Sequence, residues 1–113
     1  MKLETKLENG VLFVKLEGDV DMNSSGQVWD NISPFLEGKK PKAKAVIVEL
    51  SKVTYMDSSG IATLVRAWQT VKKTGGKLRL ASLSVPVQDV FELAHVDKVF
   101  EICKSVEEAT KGL

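Results

Sequence analysis

The fold is decided at Thr54-Tyr55-Met56-Asp57-Ser58-Ser59-Gly60-Ile61, where a strand is predicted to end and a helix to begin. Before this junction, residues 44–50 are apolar at nearly consecutive positions, which is typical of a central parallel strand covered on both faces. After it, apolar residues recur at helical spacing and predict the buried face of the helix: Ile61, Leu64, Val65, Trp68 and Val71. The junction therefore predicts one strand-to-helix step of an α/β protein.

The junction itself is polar. Asp57 and Ser58 suit a helix N-cap, because side-chain oxygens accept the backbone N–H bonds that the first helical turn cannot satisfy internally. A cap does not require a second serine, Ser59, followed by Gly60, which costs helix stability relative to alanine. The glycine suggests close approach by another group, and the positive end of the helix is a good seat for an added phosphate.

The junction and its surroundings resemble a known family. The segment Met56-Asp57-Ser58-Ser59-Gly60-Ile61 is followed by Thr74-Gly75-Gly76-Lys77, a short strand and Val85-Pro86-Val87, in an order that resembles the bacterial anti-sigma factor antagonists of the STAS family. The likeness extends over nearly the whole chain. It implies that the first serine after the aspartate, Ser58, accepts a phosphate from a partner kinase.

The resemblance also implies a partner-binding surface around Ser58. In this family an aspartate follows the second strand in a Gly-acid-apolar-Asp pattern like Gly18-Asp19-Val20-Asp21, lies near the serine and contributes to the kinase-binding surface. Asp21 matches that aspartate. The hydroxyls that follow it, Ser24 and Ser25, are interpreted as helix caps. The implied surface comprises Asp21, Asp57, Ser58, Ser59 and Gly60.

The N-terminal part of the chain predicts a hairpin followed by a helix. A polar edge strand over 2–7 and a more buried strand over 11–16 flank Asn9-Gly10, which is a tight-turn signal. An apolar helical face follows, and Pro34 removes one of its backbone bonds, so we expect a kink or an end near Ser33. That face comprises Val28, Trp29, Ile32, Phe35 and Leu36.

The C-terminal part predicts further strand–helix steps. A strand over 77–80 leads to a helix with Ser84 as its N-cap, and a strand over 99–102 leads to a short helix that Ser105 opens in a capping box. The prediction is a single STAS domain over residues 1–113. In fold class it is an α/β, STAS-like sandwich, in which an N-terminal hairpin leads into a mixed central sheet of about four to five strands with about four helices packed against it.

Composition excludes several classes of function. The 16 basic and 15 acidic residues leave a net charge of +1, which argues against a nucleic-acid partner. The basic clusters, Lys39-Lys40-Pro41-Lys42 and Lys72-Lys73, fall where helices should end and are interpreted as solvated helix termini. No apolar run is long enough to span a bilayer, so no direct membrane insertion is expected.

Few residues suit catalysis or metal binding. Cys103, which we expect to be buried, has no cysteine to pair with, and no signal peptide is evident, so the prediction is a cytoplasmic protein. His95 is the one histidine and is interpreted as a cap at the end of the third helix. With no ligand set of recognised spacing and no Gly-rich phosphate loop, neither a metal nor another cofactor is expected, and we expect no enzyme activity.

The resemblance favours one function and leaves two alternatives open. In the favoured one, the unphosphorylated protein binds an anti-sigma factor serine kinase and releases a sigma factor, and phosphorylation of Ser58 ends that binding. A serine phosphatase would then be a further partner, and the protein would be a monomer or weak dimer. The alternative is a STAS subunit of a lipid-transporting ABC complex that docks on its ATPase, since residues 61–68 depart from the Gly-Leu-Gly sequence common in sigma-regulating members. A small hydrolase using Asp19, Asp21 and Asp57 is a remote alternative.

Overall fold

A five-stranded mixed sheet is the framework of the fold in the computed structural model, which describes all residues from 1 to 113. Four helices connect or follow its strands, so the predicted fold class is confirmed. The elements in chain order are β1 (Lys2–Glu8), β2 (Val11–Val20), α1 (Ser25–Leu36), β3 (Ala45–Met56), α2 (Ser58–Lys73), β4 (Lys77–Ala81), α3 (Val85–Leu93), β5 (Glu101–Cys103) and α4 (Val106–Thr110).

The strands lie in the sheet in the same order as in the sequence, from β1 to β5. Only β1 and β2 are antiparallel, and they are joined by the predicted tight turn, in which Asn9 and Gly10 have φ angles of 52° and 80°. Two consecutive positive φ angles are what a two-residue hairpin turn needs. The remaining pairs are parallel, which places β3 at the centre of the sheet as predicted.

The two faces of the sheet are covered unequally. Residues of β2, β3 and β4 such as Leu12, Val48 and Leu80 form the main core with α1, α2 and α3. On the opposite face, Ile47 packs with Ala81 and with Ala109 of the short helix α4. Because neighbouring residues of a strand point to opposite faces, β3 needs apolar residues at consecutive positions, and the sequence has them.

The first helix does not end where the sequence predicts. It continues through Pro34 to Leu36, which is only 1 % exposed, and Glu37 N–H donates to Ser33 O at 3.0 Å. Of the kink or end predicted near Ser33, the end is therefore wrong, because the helix continues for three more residues. Burial of Ile32 and Leu36 stabilises the last turn, and this outweighs the single backbone bond that Pro34 cannot make.

Three strands also differ from their predicted bounds. β2 and β3 continue to Val20 and Met56 because their second halves pair with each other, from Lys52 opposite Glu17 to Met56 opposite Val20. The last strand, β5, is only three residues long and begins at Glu101, and Cys103 within it is partly exposed rather than buried. These differences come from pairing with a neighbouring strand, which local sequence does not record.

Of three predicted caps, only Ser105 caps its helix with its side chain. Ser105 Oγ accepts the N–H of Glu108 at 3.1 Å, as a capping serine should. Ser84 occupies the N-cap position of α3, but its hydroxyl donates to Val53 O of β3 at 2.6 Å instead of capping. At the end of α3 the backbone of His95 takes a left-handed conformation, and its N–H donates to Glu92 O, so it is the His95 backbone that closes this helix.

Candidate functional site

The site lies at the carboxyl edge of the sheet, where β2 and β3 end side by side. These strands are parallel, and Val20, the last residue of β2, is opposite Met56, the last residue of β3. The N–H of Asp57 donates to Val20 O at 3.3 Å and ties the two chain segments together beyond the last strand pair. Parallel pairing therefore brings the loop that contains Asp21 next to the start of α2.

Asp57 is the N-cap of α2. Its Oδ1 accepts the N–H of Ser59 at 2.9 Å and that of Gly60 at 3.4 Å, and it also accepts the Ser59 hydroxyl at 2.5 Å. A carboxylate at this position satisfies N–H groups that have no partner inside the helix and interacts favourably with the helix dipole. The predicted role of Asp57 as a helix cap is confirmed by this geometry.

These bonds change the acidity of Asp57. The hydroxyl of Ser59 is the largest cause that lowers the pKa of the Asp57 carboxyl below its ordinary value of 3.8, and backbone N–H groups of Ser59, Gly60 and Met22 act in the same direction. Partial desolvation opposes them. Because the pKa is lower in the folded state, the cap stabilises the protein fully above the ordinary value and loses that contribution as the pH falls through the folded value. Asp57 is therefore ionised throughout the neutral range.

The two serines of the junction differ in what their hydroxyls contact. Ser58 is the first residue of α2, its side chain is exposed, and its hydroxyl makes no hydrogen bond. The Ser59 side chain is half-buried and its hydroxyl is engaged with Asp57. Ser58 is therefore the hydroxyl that an incoming group reaches without breaking a hydrogen bond.

The start of α2 is already occupied by a carboxylate. Asp57 accepts the N–H groups of Ser59 and Gly60, which are the groups that an anion at a helix N-terminus normally uses. A phosphate on Ser58 would therefore lie next to the Asp57 charge and would not find these N–H groups free. We expect this repulsion to offset part of the dipole stabilisation that the sequence predicts for a phosphate here.

Gly60 is buried against its own sheet. A Cβ added there would lie 2.7 Å from Met56 Cγ, 3.0 Å from Val20 Cγ1 and 3.1 Å from Val20 O. The sequence indicates that another group approaches Gly60 closely, and the structure shows that this group is the ends of β2 and β3 in the same protein. Gly60 lets α2 start directly on top of β2 and β3.

We expect Gly60→Ala to destabilise the protein. Overpacking costs about 1–3 kcal/mol, and the better helix propensity of alanine offsets roughly 0.5–1 kcal/mol of that cost. Gly26→Ala in α1 is the matched control, because a Cβ there meets nothing within 4 Å. Urea unfolding of both variants measures the difference. Equal or greater stability of Gly60→Ala relative to Gly26→Ala would show that the contact at the strand ends is not restrictive.

Asp21 shapes the loop that faces the serines. Its Oδ1 accepts the N–H of Asn23 at 2.9 Å, and its own N–H donates to Ser24 Oγ at 3.0 Å. Ser24 Oγ in turn donates to Asp19 O at 2.9 Å, so this buried serine ties the loop together and does not cap α1 with its side chain. The interpretation of the Ser24 hydroxyl as a helix cap is therefore wrong.

The three aspartates of this edge are each engaged within the protein. Asp19 Oδ1 accepts the Thr54 hydroxyl at 2.7 Å, while Asp21 and Asp57 hold the loop and the helix start described above. No group of three histidine, cysteine or acidic side chains is arranged to hold a metal ion. Their geometry is that of turn and cap residues, and it gives the hydrolase alternative no support.

Three exposed apolar side chains lie on or beside the C-terminal halves of β2 and β3, and the sequence analysis gave none of them a role in the site. Met22 is 81 % exposed and Tyr55 is 49 % exposed, and the Met22 N–H points at the Asp57 carboxylate. Val85, which follows the Ser84 bond to β3, is 71 % exposed. Single exposed apolar side chains are common on protein surfaces, so their relevance here rests on their place at the ends of the paired strands. None of the three directly follows a predicted strand end, so the sequence carried no signal for their exposure.

The fold and the site together define a small α/β protein that presents an exposed serine at a capped helix start, next to the loop that follows β2. The STAS domain model matches residues 2–109, and the chain belongs to the STAS domain family. No helix of the structure is both long and apolar enough to cross a membrane.

Several relatives share nearly the full length of the chain. The anti-sigma F factor antagonist of Paenibacillus polymyxa is 22 % identical, covering 90 % of this chain and 86 % of its own length. The anti-sigma-B factor antagonist of Bacillus subtilis is 25 % identical, covering 95 % of this chain and 94 % of its own length. At this level of identity the relatives indicate a class of function, and the residues of the site have to be argued separately.

A solved structure with the same fold is that of the anti-sigma factor antagonist SpoIIAA. Its unphosphorylated form superposes with a TM-score of 0.82 at 19 % identity, covering 96 % of this chain and 92 % of that one. Its phosphorylated form superposes with a TM-score of 0.76 at 18 % identity, covering 96 % of both chains. These likenesses establish the fold of the present chain.

Proposed function

We propose that this protein is an anti-sigma factor antagonist, a binding switch without enzyme activity of its own. The unphosphorylated form binds an anti-sigma factor serine kinase in the cytoplasm and releases a sigma factor, and phosphorylation of Ser58 ends the binding. A serine phosphatase that acts on phosphorylated Ser58 resets the switch. The full-length relatives named above support this class of function.

The observation that carries the proposal is the exposed, unbonded hydroxyl of Ser58 at the edge of the sheet where β2 and β3 end together. A kinase needs a hydroxyl that it can reach, and a switch needs that hydroxyl to lie where the partner binds. Ser58 meets the first condition, and the pairing of Val20 with Met56, which brings the loop of Asp21 and Met22 next to Asp57, supports the second. We therefore assign the kinase-binding surface to Asp21, Asp57, Ser58 and Ser59, and we add the exposed Met22 and Tyr55 to it. Gly60, which the sequence also assigned to this surface, is buried against β2 and β3 and supports the surface from below.

A pull-down from the native cell distinguishes this function from the transporter alternative. The tagged wild-type protein should recover a small ATP-binding kinase, and Ser58→Asp should not recover it. Recovery of a transport ATPase together with its permease, by wild type and Ser58→Asp alike, would instead identify a subunit of a transport complex. Incubation of the purified protein with the recovered kinase and ATP then tests phosphorylation directly.

The charge of Asp21 can be tested apart from its structural role. Asp21→Asn keeps an oxygen that can accept the Asn23 N–H, so the loop should hold its shape, while the negative charge is lost. We expect Asp21→Asn to weaken kinase binding about tenfold or more with little change in melting temperature, because a hydrogen bond to a charged group contributes about 1.5–3 kcal/mol. Calorimetric titration and thermal melting measure the two effects.

Asp30→Asn is the matched control, since Asp30 is an exposed acid on α1 that makes no ion pair. It should bind the kinase like the wild type. If Asp21→Asn also binds like the wild type, or if it lowers the melting temperature sharply and the folded fraction binds normally, then Asp21 serves only to hold the loop.

A further inference from the structure

The edge of the sheet opposite Ser58 collects lysines from two distant segments. Residues 37–44 lead into β3 and residues 72–77 lead into β4, and the first residues of these strands, Ala45 and Lys77, are paired in the sheet. The two segments hold seven lysines, all exposed, against the single acid Glu37. They are Lys39, Lys40, Lys42, Lys44, Lys72, Lys73 and Lys77, and we call this surface the lysine pole. In the sequence these lysines are separate helix-end clusters, and the fold joins them.

The charges of the lysine pole are not neutralised within the protein. The four ion pairs of the structure involve Lys6, Lys15, Lys52 and Arg79, and none involves the pole. Among its lysines, Lys72 contacts the ring of Trp68, with its Nζ 4.7 Å from the ring centroid. The protein is therefore nearly neutral overall but has one strongly basic end.

The lysine pole surrounds a shallow cleft of about 380 Å³ that is lined in part by Lys40, Lys44 and Gly76. The two glycine N–H groups of the cleft are engaged within the protein, because Gly75 and Gly76 donate them to Lys72 O and Val71 O at 3.0 Å. An anion here would therefore meet mainly the flexible ammonium groups of lysine. This arrangement attracts many phosphates at once and does not select one small phosphate ligand.

The composition of the lysine pole favours a membrane surface over other polyanions. Protein interfaces are depleted in lysine, and nucleic-acid interfaces add side chains that read base edges or stack on bases to the phosphate contacts of lysine and arginine. Residues 37–44 and 72–77 contain neither arginine nor an aromatic residue. Basic side chains near an anionic membrane surface each contribute about 1 kcal/mol, and clusters of about 4–8 of them next to membrane-associated helices bind anionic headgroups, a number that the seven lysines of the pole match. We propose that the lysine pole docks this protein reversibly on anionic phospholipid membranes, through headgroup phosphates and without insertion.

Such docking would leave the site around Ser58 free. The 12 residues of β3 separate the lysine pole from that site, a length on the order of 35 Å, whereas charges are screened over about 8 Å at physiological ionic strength. Membrane binding should therefore be independent of the charge at Ser58. The inference extends beyond the proposed switch and does not depend on it.

Co-sedimentation of the full chain with vesicles tests the proposal. We expect binding to phosphatidylcholine vesicles that contain about one-third phosphatidylserine, no binding to pure phosphatidylcholine, and loss of binding as salt is raised. Lys40→Gln/Lys42→Gln/Lys73→Gln should lower the partition coefficient about a hundredfold, or about fivefold per lysine. Lys98→Gln/Lys104→Gln/Lys111→Gln, which removes the same charge elsewhere, should bind like the wild type, and so should Ser58→Asp.

Circular dichroism establishes that each variant is folded, which surface glutamines should allow. The proposal is overturned if the two triple variants bind equally, if pure phosphatidylcholine binds as well as the anionic mixture, or if no binding occurs near physiological salt. It is also overturned if duplex or single-stranded nucleic acid displaces the protein from vesicles at equal phosphate concentration, since the lysine pole would then be a nucleic-acid surface. A failure of the kinase pull-down has no bearing on these outcomes.

Discussion

Ser58→Asp is expected to weaken binding of the anti-sigma kinase by at least about a hundredfold, or roughly 2.7 kcal/mol. Ser58 lies exposed beside the ionised Asp57, so an added negative charge would be placed in a surface that is already acidic. In a complex this surface loses water, and the repulsion of like charges grows severalfold as the effective dielectric constant falls towards about 20. Phosphoserine, with nearly two charges and greater bulk, should have a larger effect than aspartate. Calorimetric titration measures both.

Alanine variants separate the two serines. Ser58→Ala should bind the kinase and resist phosphorylation, whereas Ser59→Ala should still accept phosphate, because its hydroxyl is engaged with Asp57 and is not the free group. Mass spectrometry after incubation with the kinase and ATP locates the phosphate. Phosphate found on Ser59, or on neither serine, would contradict the assignment and favour the transporter alternative.

Phosphorylation should not unfold the free protein. The helix dipole favours a phosphate at the start of α2, and Asp57 opposes it, so the two effects partly cancel. We therefore expect the melting temperature of the phosphorylated protein to stay close to that of the unmodified one. Loss of binding with an unchanged melting curve would be the signature of a switch that acts at the interface.

Leu64→Ala is expected to lower the free energy of unfolding by about 2–5 kcal/mol, which is a large share of the stability of a small protein. Leu64 lies in the middle of α2, is 1 % exposed and belongs to the main core. Alanine would leave a cavity that the surrounding strands and helices can fill only in part. Gln69→Ala, an exposed position on the same helix, is the matched control and should change stability by less than about 0.5 kcal/mol.

Urea unfolding followed by circular dichroism measures both variants. A cost for Leu64→Ala as small as that of Gln69→Ala would mean that α2 packs on the sheet through a different face. The structure places Ile61, Leu64, Ala67 and Val71 on the buried face, with Val65 and Trp68 partly buried at its margins. The sequence therefore identified the correct side of the helix. It included the large, partly buried Val65 and Trp68 in the buried face and missed the small, fully buried Ala67.

The general architecture could be predicted because several local signals agree. The Asn9-Gly10 turn, the apolar run of β3 and the cap at Asp57 each have a physical cause within a few residues of chain. The bounds of β3 and β5 and the continuation of α1 through Pro34 depend instead on pairing and burial between distant segments. Single-sequence patterns do not contain that information.

The same distinction applies to the site. The motif identified Asp57, Ser58 and Ser59 together, but it did not distinguish the free hydroxyl from the bonded one, which required the geometry of Asp57. The role of Gly60 as a contact with Met56 and Val20 also needed the three-dimensional structure. The sequence shows the lysines of the pole as separate clusters. It does not show that they lie on one surface, because that depends on the pairing of β3 with β4.

The agreement between the order of strands in the sheet and their order in the sequence has a kinetic consequence. Each new strand joins the edge made by the strand before it, so no segment has to wait for a distant one before it can pair. Topologies with such neighbouring contacts have low contact order and fold faster than those in which a late strand inserts between early ones. During synthesis the N-terminal hairpin can form first, and β3 can be added to it while the rest of the chain is still being made. We therefore expect the edge that carries Ser58 to take shape early, with the lysine pole completed only when β4 is in place.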